Sequence, residues 1–252
     1  GNDNSILGFF ADYADPSFYA YAQFLVDDFN TNAFLNPDAY QNPNKIAWSV
    51  GGTIPTTAGE FGFYHAGATK YTFQAYGGGS VGAATDTKYG YTYYPAVEYS
   101  VGGETRVILP EDNYIGYLHG ENNLAFLVEY ARAFEPVQVN ATIEYTLSGS
   151  KSPANPWHEF NNYSEGGQGT RFLDDDRLES KMTATGRADA SFGWWSAFAE
   201  LTVGFVVNEP QLYDIPAEYA GPNNVIRYFV PSDSPARIFG GITIGGSVRL
   251  PL

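Results

Sequence analysis

The stretch VQVNATIEYTL, residues 137–147, decides the fold. Val137, Val139, Ala141, Ile143, Tyr145 and Leu147 are apolar, and Gln138, Asn140, Thr142, Glu144 and Thr146 between them are polar. Successive side chains of an extended chain point to opposite sides, so this alternation makes a strand with one greasy and one wet face. The run before it sets Leu124, Phe126, Val128 and Tyr130 against Glu129, and Arg132 interrupts the apolar row.

The same period of two recurs along the chain. Residues 178–192 place Met182, Ala184, Ala188, Ala190 and Phe192 opposite Glu179, Lys181, Thr183, Thr185, Arg187, Asp189 and Ser191. Residues 199–208 oppose Leu201, Val203, Phe205 and Val207 to Glu200, Thr202 and Asn208. Residues 237–252 set Ile238, Ile242, Ile244, Val248, Leu250 and Leu252 against Arg237, Thr243, Ser247 and Arg249. Rougher alternation covers residues 17–28 (Phe18, Ala20, Ala22, Phe24, Val26), 45–54 (Ile46, Trp48, Val50, Ile54) and 60–74 (Phe61, Phe63, Tyr71, Phe73). This predicts eight strands of about 10–15 residues, long against the usual ~5–6. No segment reads as a helix.

Composition agrees. The chain of 252 residues holds 20 Tyr, 18 Phe, 28 Gly and 15 Pro, which suits strands joined by many turns. Disordered chains are poor in aromatics, so disorder is excluded. With 28 acidic against 13 basic residues the formal charge is −15, which disfavours nucleic acid and anionic membrane surfaces as partners. Absence of cysteine excludes disulfides, thiol catalysis and Cys-ligated metal sites. No stretch approaches the ~18 consecutive apolar residues of a membrane helix, but a membrane β-barrel escapes that criterion. Residues 1–5 are not a signal peptide, so either the chain is cytoplasmic or its signal has been removed.

Connection lengths alternate. Long loops near 29–44, 75–123, 149–177 and 209–235 are separated by short turns near Pro55, Glu135-Pro136 and Gly193. Outer-membrane barrels have this asymmetry, with short turns on one side and long loops on the other. Phe61, Phe63, Phe134, Phe192, Trp194, Trp195 and Phe198 gather beside the short turns, as an interfacial aromatic girdle would. A secreted β-sandwich or lipocalin-like barrel shares the alternating strands. Charges of both signs at mid-strand (Glu144, Lys181, Arg187, Asp189, Glu200) favour a hydrated or ion-paired lumen, and the strands exceed the ~9–11 residues that span a bilayer. The expected fold is therefore all-β, a single antiparallel up-and-down transmembrane β-barrel domain over residues 1–252, or part of a larger barrel.

Three stretches carry a resemblance: FLVDDFNTNAF (24–34), NKIAWSVGG (44–52) and IGYLHGENNLAFLVEY (115–130). With the ending ITIGGSVRLPL (242–252), they are similar to the Wzi-type capsule-assembly barrels of Gram-negative outer membranes. Leu252 stands where bacterial barrels usually end on an aromatic residue. The resemblance covers the C-terminal half of such a protein and implies a larger barrel of about 18 strands, of which this chain supplies roughly half: a fragment, a half completed by another chain, or a smaller relative. It also implies an outer-membrane location, a lipid bilayer around the strands, and attachment or passage of surface polysaccharide without bond-breaking chemistry. A secreted adhesin or lectin-like protein and a general solute porin are the alternatives.

For carbohydrate, Trp157, Tyr163, Tyr114 and Tyr117 offer flat apolar faces, and His158, Asn161 and Asn162 offer hydrogen bonds. Asp174, Asp175 and Asp176, with Glu179 nearby, are a weak Ca²⁺ candidate, because their spacing matches no calcium loop. No other cofactor is expected. His65, His119 and His158 are scattered, Gly77-Gly78-Gly79 lacks the Lys-Ser/Thr of a phosphate loop, and no local pattern joins a serine to a histidine. An enzyme is not expected.

Overall fold

The computed structural model describes residues 6–28, 44–72, 97–101, 103–108, 117–151, 170–214 and 225–248. Among them every regular element is a strand. Nine form one antiparallel sheet: β1 (Leu7–Asp15), β2 (Phe18–Asp28), β3 (Lys45–Thr56), β4 (Gly59–Ala68), β7 (Asn123–Phe134), β8 (Val137–Ser148), β9 (Glu179–Phe192), β10 (Trp195–Val207) and β13 (Arg237–Val248). β5 (Val97–Val101), β6 (Glu104–Ile108), β11 (Pro210–Asp214) and β12 (Val225–Pro231) make a second sheet in the order β11-β12-β5-β6.

The large sheet is an up-and-down meander. Four hairpins, at Pro16-Ser17, Thr57-Ala58, Glu135-Pro136 and Gly193-Trp194, turn at one end, and all four long connections lie at the other. Gly193 adopts φ 69°, the left-handed conformation that two-residue hairpins need.

Register carries the alternation across all nine strands. One row runs Phe9, Phe24, Trp48, Gly67, Leu124 and Leu147; the next runs Ala11, Ala22, Val50, His65, Phe126, Tyr145, Met182, Phe205 and Ile238. Cross-strand partners share a face, so the apolar positions of every strand join into one apolar surface. That surface is open: Ile143 is 48 % exposed, Val203 48 % and Ile242 72 %. The opposite face carries Tyr21, Tyr64, Glu129, Glu144, Lys181, Arg187, Asp189 and Glu200.

Aromatic rings fill the places where glycine faces them. Trp48 pairs with Gly67, Phe239 with Gly204, Phe198 with Gly245 and Tyr64 with Gly51. A Cβ added at Gly204 would sit 2.1 Å from the Phe239 ring, and one at Gly67 would sit 2.5 Å from Trp48. Each ring lies down on the neighbouring strand because the missing side chain leaves it room.

Four expectations need correction. The sheet has nine strands, not eight, because β1 pairs with β2 over its whole length; the adjacent Phe9 and Phe10 conceal its alternation. It is not a closed barrel among the described residues, since β1 bonds only to β2 and β13 only to β10. β4 stops at Ala68, so Tyr71 belongs to a turn with φ 67° and is buried instead of facing outward. Phe198 falls on the polar face, 4.1 Å from the Arg187 guanidinium, and does not join the aromatics beside the short turns. The long connections also contain β5, β6, β11 and β12, whose short runs gave no readable period.

Gly204→Ala should lower unfolding stability by about 1–3 kcal/mol, the usual cost of overpacking, because Phe239 must leave its seat. Gly186→Ala, where an added Cβ meets nothing within 4 Å, should change it by no more than ~0.5 kcal/mol. Equal denaturant midpoints for the two variants would show that the ring-on-glycine contacts do not hold the sheet.

Candidate functional site on the polar face

Buried residues concentrate at the end of the sheet that carries the long connections. Asn122, in the left-handed conformation at φ 51°, is the centre of that end. Its amide donates to the Ser150 carbonyl at 3.0 Å and to Asp175 Oδ2 at 2.6 Å, while its Oδ1 accepts from the Leu173 amide at 2.8 Å. The β4–β7 connection is thereby tied to both ends of the β8–β9 connection. Lys70 adds ion pairs to Asp174 at 3.1 Å and Asp175 at 3.2 Å, and Arg171 pairs with Asp174. Burial opposes the charge of Asp174, but Arg171 and Lys70 outweigh it and hold its pKa below the ordinary carboxylate value.

These contacts occupy the first two members of the acidic trio. No three His, Asp or Glu side chains converge in a metal-holding group among the described residues, Asp174, Asp175 and Asp176 included. The trio's described partners are cations and amides of the loop knot, which is a structural use of the charge.

A cavity of about 390 Å³ opens on the polar face beneath this knot. Tyr21 of β2, Ser49 of β3, Tyr64 of β4, Leu127 and Glu129 of β7 and Glu144 of β8 line its floor, with Tyr117, Leu118 and His119 on its rim. Period-two geometry explains the floor, because Tyr21, Gly51, Tyr64, Leu127 and Glu144 form one cross-strand row. Glycine at 51 lets the Tyr21 and Tyr64 rings approach to 6.4 Å between centroids.

The rim is fixed by polar contacts. Tyr117 donates its hydroxyl to Asn123 Oδ1 at 2.8 Å, and its ring meets His119 edge-on at 5.6 Å. His119 Nε2 lies 2.9 Å from Glu144 Oε1, and the Lys151 ammonium donates to the His119 carbonyl. Burial, with the Glu144 carboxylate beside it, pushes the Tyr117 phenol above its usual range, so it stays a donor. On the floor the Tyr21 hydroxyl and Ser49 hydroxyl bond each other at 3.0 Å. Glu129 meets the Tyr64 hydroxyl and has no cationic partner among the described residues.

Elsewhere on this face Arg187 bridges Asp189 at 2.8 Å and Glu200 at 3.5 Å. The ion pairing expected of the mid-strand charges therefore occurs for Arg187, whereas Glu144 takes His119 instead. The third histidine read from the sequence, His65, faces the apolar side. It accepts from Trp48 Nε1 at 3.0 Å, which leaves Nδ1 to donate to the Ala125 carbonyl at 3.0 Å, and its ring stacks on Phe126.

Of the carbohydrate candidates, Tyr117 lies on the cavity rim. Tyr114, Trp157, His158, Asn161, Asn162 and Tyr163 lie outside the described residues. Sequence reading missed Tyr21, Tyr64, Glu129 and His119 as a group; the signal available was that the first three occupy polar-face positions of β2, β4 and β7. Comparison of the chain with protein-family models, with curated proteins and with solved structures gave no match.

Asn122→Ala should loosen the knot. It leaves the Leu173 amide and Asp175 Oδ2 without the Asn122 side chain, while Asp175 Oδ1 keeps Lys70 and Ser150, and should cost about 1–3 kcal/mol in all. Amide exchange should speed up at Leu173 and Gly149 while staying slow at mid-strand Ile143. The Asp174 pairs should act in full above the ordinary aspartate pKa and be lost as pH falls below it through the depressed value. Exchange rates at Leu173 that ignore both the mutation and acid would refute this account.

Proposed function

We propose that this chain forms part of the wall of an outer-membrane β-barrel of the Wzi-like kind, and that it binds surface polysaccharide and helps attach or pass it without breaking bonds. The observation that carries the reading is the open apolar surface, continuous across nine strands and backed by a charged face. In water such an area would be a large exposed patch; against lipid it is the expected exterior, with the charged face lining an aqueous interior. Support comes from its few polar groups. His65 is satisfied by Trp48 and Ala125, and Arg132 and Tyr130 both donate to the Ala58 carbonyl at the hairpin end. The pairs Phe192–Trp195 and Phe61–Tyr130, at 4.4 and 5.0 Å, stand beside the short turns where an interface would be.

The cavity supports the binding half of the reading. Tyr21, Tyr64 and Tyr117 supply flat faces for sugar rings, and Glu129 and Glu144 accept from hydroxyls or amines. With no cationic partner for Glu129 among the described residues and a chain charge of −15, neutral or amine-bearing glycans are favoured over acidic ones. A nucleophile needs an adjacent base, and the described partner of the Ser49 hydroxyl is the Tyr21 hydroxyl and not a histidine. That pairing supports binding without hydrolysis.

Ile143→Arg should cost about 2–4 kcal/mol of folding stability in lipid vesicles, the penalty for arginine near a bilayer midplane, whereas Asn140→Arg on the other face should cost far less. A chain that is monodisperse in water without detergent would instead be a secreted binding domain. The combined Tyr21→Ala and Tyr64→Ala variant should bind an immobilised neutral glycan about tenfold more weakly, ~1.4 kcal/mol. Unchanged binding to every glycan tested would leave a solute-passing or structural barrel.

A further inference from the structure

A second cavity opens on the polar face, at the hairpin end of the large sheet. It measures about 540 Å³, and its walls come from β7, β8, β9 and β10, none from the edge strands β1 and β13. One cross-strand row crosses it: Ala133 of β7, Gln138 of β8, Asp189 of β9 and Phe198 of β10.

The chemistry of these walls selects a class of ligand. Phe198 is a fixed apolar wall: a Cβ added at Gly245 would stand 2.5 Å from its ring, and the Arg187 guanidinium lies 4.1 Å from the ring centre. The Gln138 amide, with donors and an acceptor, makes no hydrogen bond among the described residues. Each Asp189 oxygen accepts from Arg187 at 2.8 Å, which leaves a further lone pair on each for a hydroxyl. Ser191 adds a hydroxyl of its own. Arg187 is shared between Asp189 and Glu200, so its charge is already met by two carboxylates. An apolar wall beside donors and acceptors, with the local charge balance negative, fits a neutral hydroxylated ring and disfavours an anionic one.

Register sets the two cavities on one line. Glu144, Thr142, Asn140 and Gln138 are successive polar-face residues of β8; the first lines the tyrosine cavity and the last lines this one. Six residues of strand put about 20 Å between them. Along that interval Thr142 and Asn140 make no side-chain hydrogen bond among the described residues. Thr142 continues across the sheet into Thr185 and Thr202, whose hydroxyls bond each other at 3.1 Å. Glu129 stands beside Thr142, and the paired Arg187 beside Asn140. The ground between the cavities is thus mostly hydroxyl and amide.

We propose that the hairpin-end cavity is a second carbohydrate subsite, and that one extended neutral glycan chain occupies both cavities, running along β8. This rests on the glycan-binding reading above and not on any closure of the sheet. Holding two subsites with one chain makes the second contact intramolecular, so affinity rises with glycan length once about 20 Å is spanned.

The test varies glycan length with the whole chain in detergent micelles. Oligomers of α-linked glucose, β-linked glucose and N-acetylglucosamine serve as neutral probes, each as a dimer and a hexamer. In at least one series the hexamer should bind about tenfold or more tightly than the dimer. Gln138→Trp, which fills the hairpin-end cavity from an exposed position, should erase most of that gain. A footprint checks the same contact without blocking it. The chain has no cysteine, so the single thiol of Gln138→Cys can be followed by its reaction with a charged maleimide. Hexamer at ten times its Kd should slow that reaction about tenfold by mass action, and leave Ser17→Cys in the β1–β2 hairpin unaffected. Equal affinity for both lengths in every series, a length gain that survives Gln138→Trp, or a Gln138→Cys thiol that the hexamer does not protect overturns the proposal. If the dimer still binds in those cases, and the Tyr21→Ala and Tyr64→Ala variant weakens it, the first cavity stands as a glycan site without the second. Absence of binding in all three series overturns both.

Discussion

An antiparallel ladder aligns residues two by two, and because side chains alternate along a strand, one unbroken register commits all nine strands to the same division of faces. A slip of one residue anywhere would turn that strand's apolar set onto the charged side. All four hairpins are two residues long and without slack, and they carry the register across β1–β2, β3–β4, β7–β8 and β9–β10. Everything else in the molecule is arranged around that division. The tyrosine row, the Arg187 pairs and the apolar surface are consequences of register before they are consequences of individual contacts.

Ordinary globular packing is nearly absent from the sheet. Its apolar side chains remain open, and the fully buried groups are largely polar ones at the loop end: Lys45, Thr72, Glu121, Asn122 and Asn123. Cohesion within the sheet comes from backbone ladders, supplemented by rings lying over glycines and by charge pairs on the polar face. At the loop end it comes from Asn122, Lys70 and the aspartates they hold, with Asp27 and Lys45 facing each other at 3.6 Å across the ends of β2 and β3. A structure stabilised this way gains little from hydrophobic collapse in water, and the lipid surround proposed for its apolar side is argued from that.

The cavity stands where the two systems meet. Its floor is inherited from register and its rim from the loop knot, through Tyr117, His119 and Lys151. The binding proposed at this place would therefore depend on the knot being intact, although no knot residue besides the rim need touch a ligand. The acidic trio has its described role here as an anchor for Lys70 and Arg171 through Asp174 and Asp175, whereas Glu129 and Glu144 stand on the floor of the cavity, Glu144 bonded to His119.

The sequence by itself determined the strands, their two faces and the alternation of short and long connections. Those features are local: a period of two needs no knowledge of what a strand pairs with, and Val137 to Ile143 announce theirs within seven residues. The same locality made Arg187, Asp189 and Glu200 legible as residues of one face. Only the tertiary structure decided that β1 joins the sheet, that Tyr71 turns inward, that β1 and β13 do not close the sheet among the described residues, and that Asn122 binds both Ser150 and Asp175. Each depends on groups tens of residues apart or on a strand count, and no pattern within one segment encodes either. Tyr21, Tyr64 and Glu144 come together for that reason: alternation assigned each to the polar face, but only the register of five consecutive strands set them in one row.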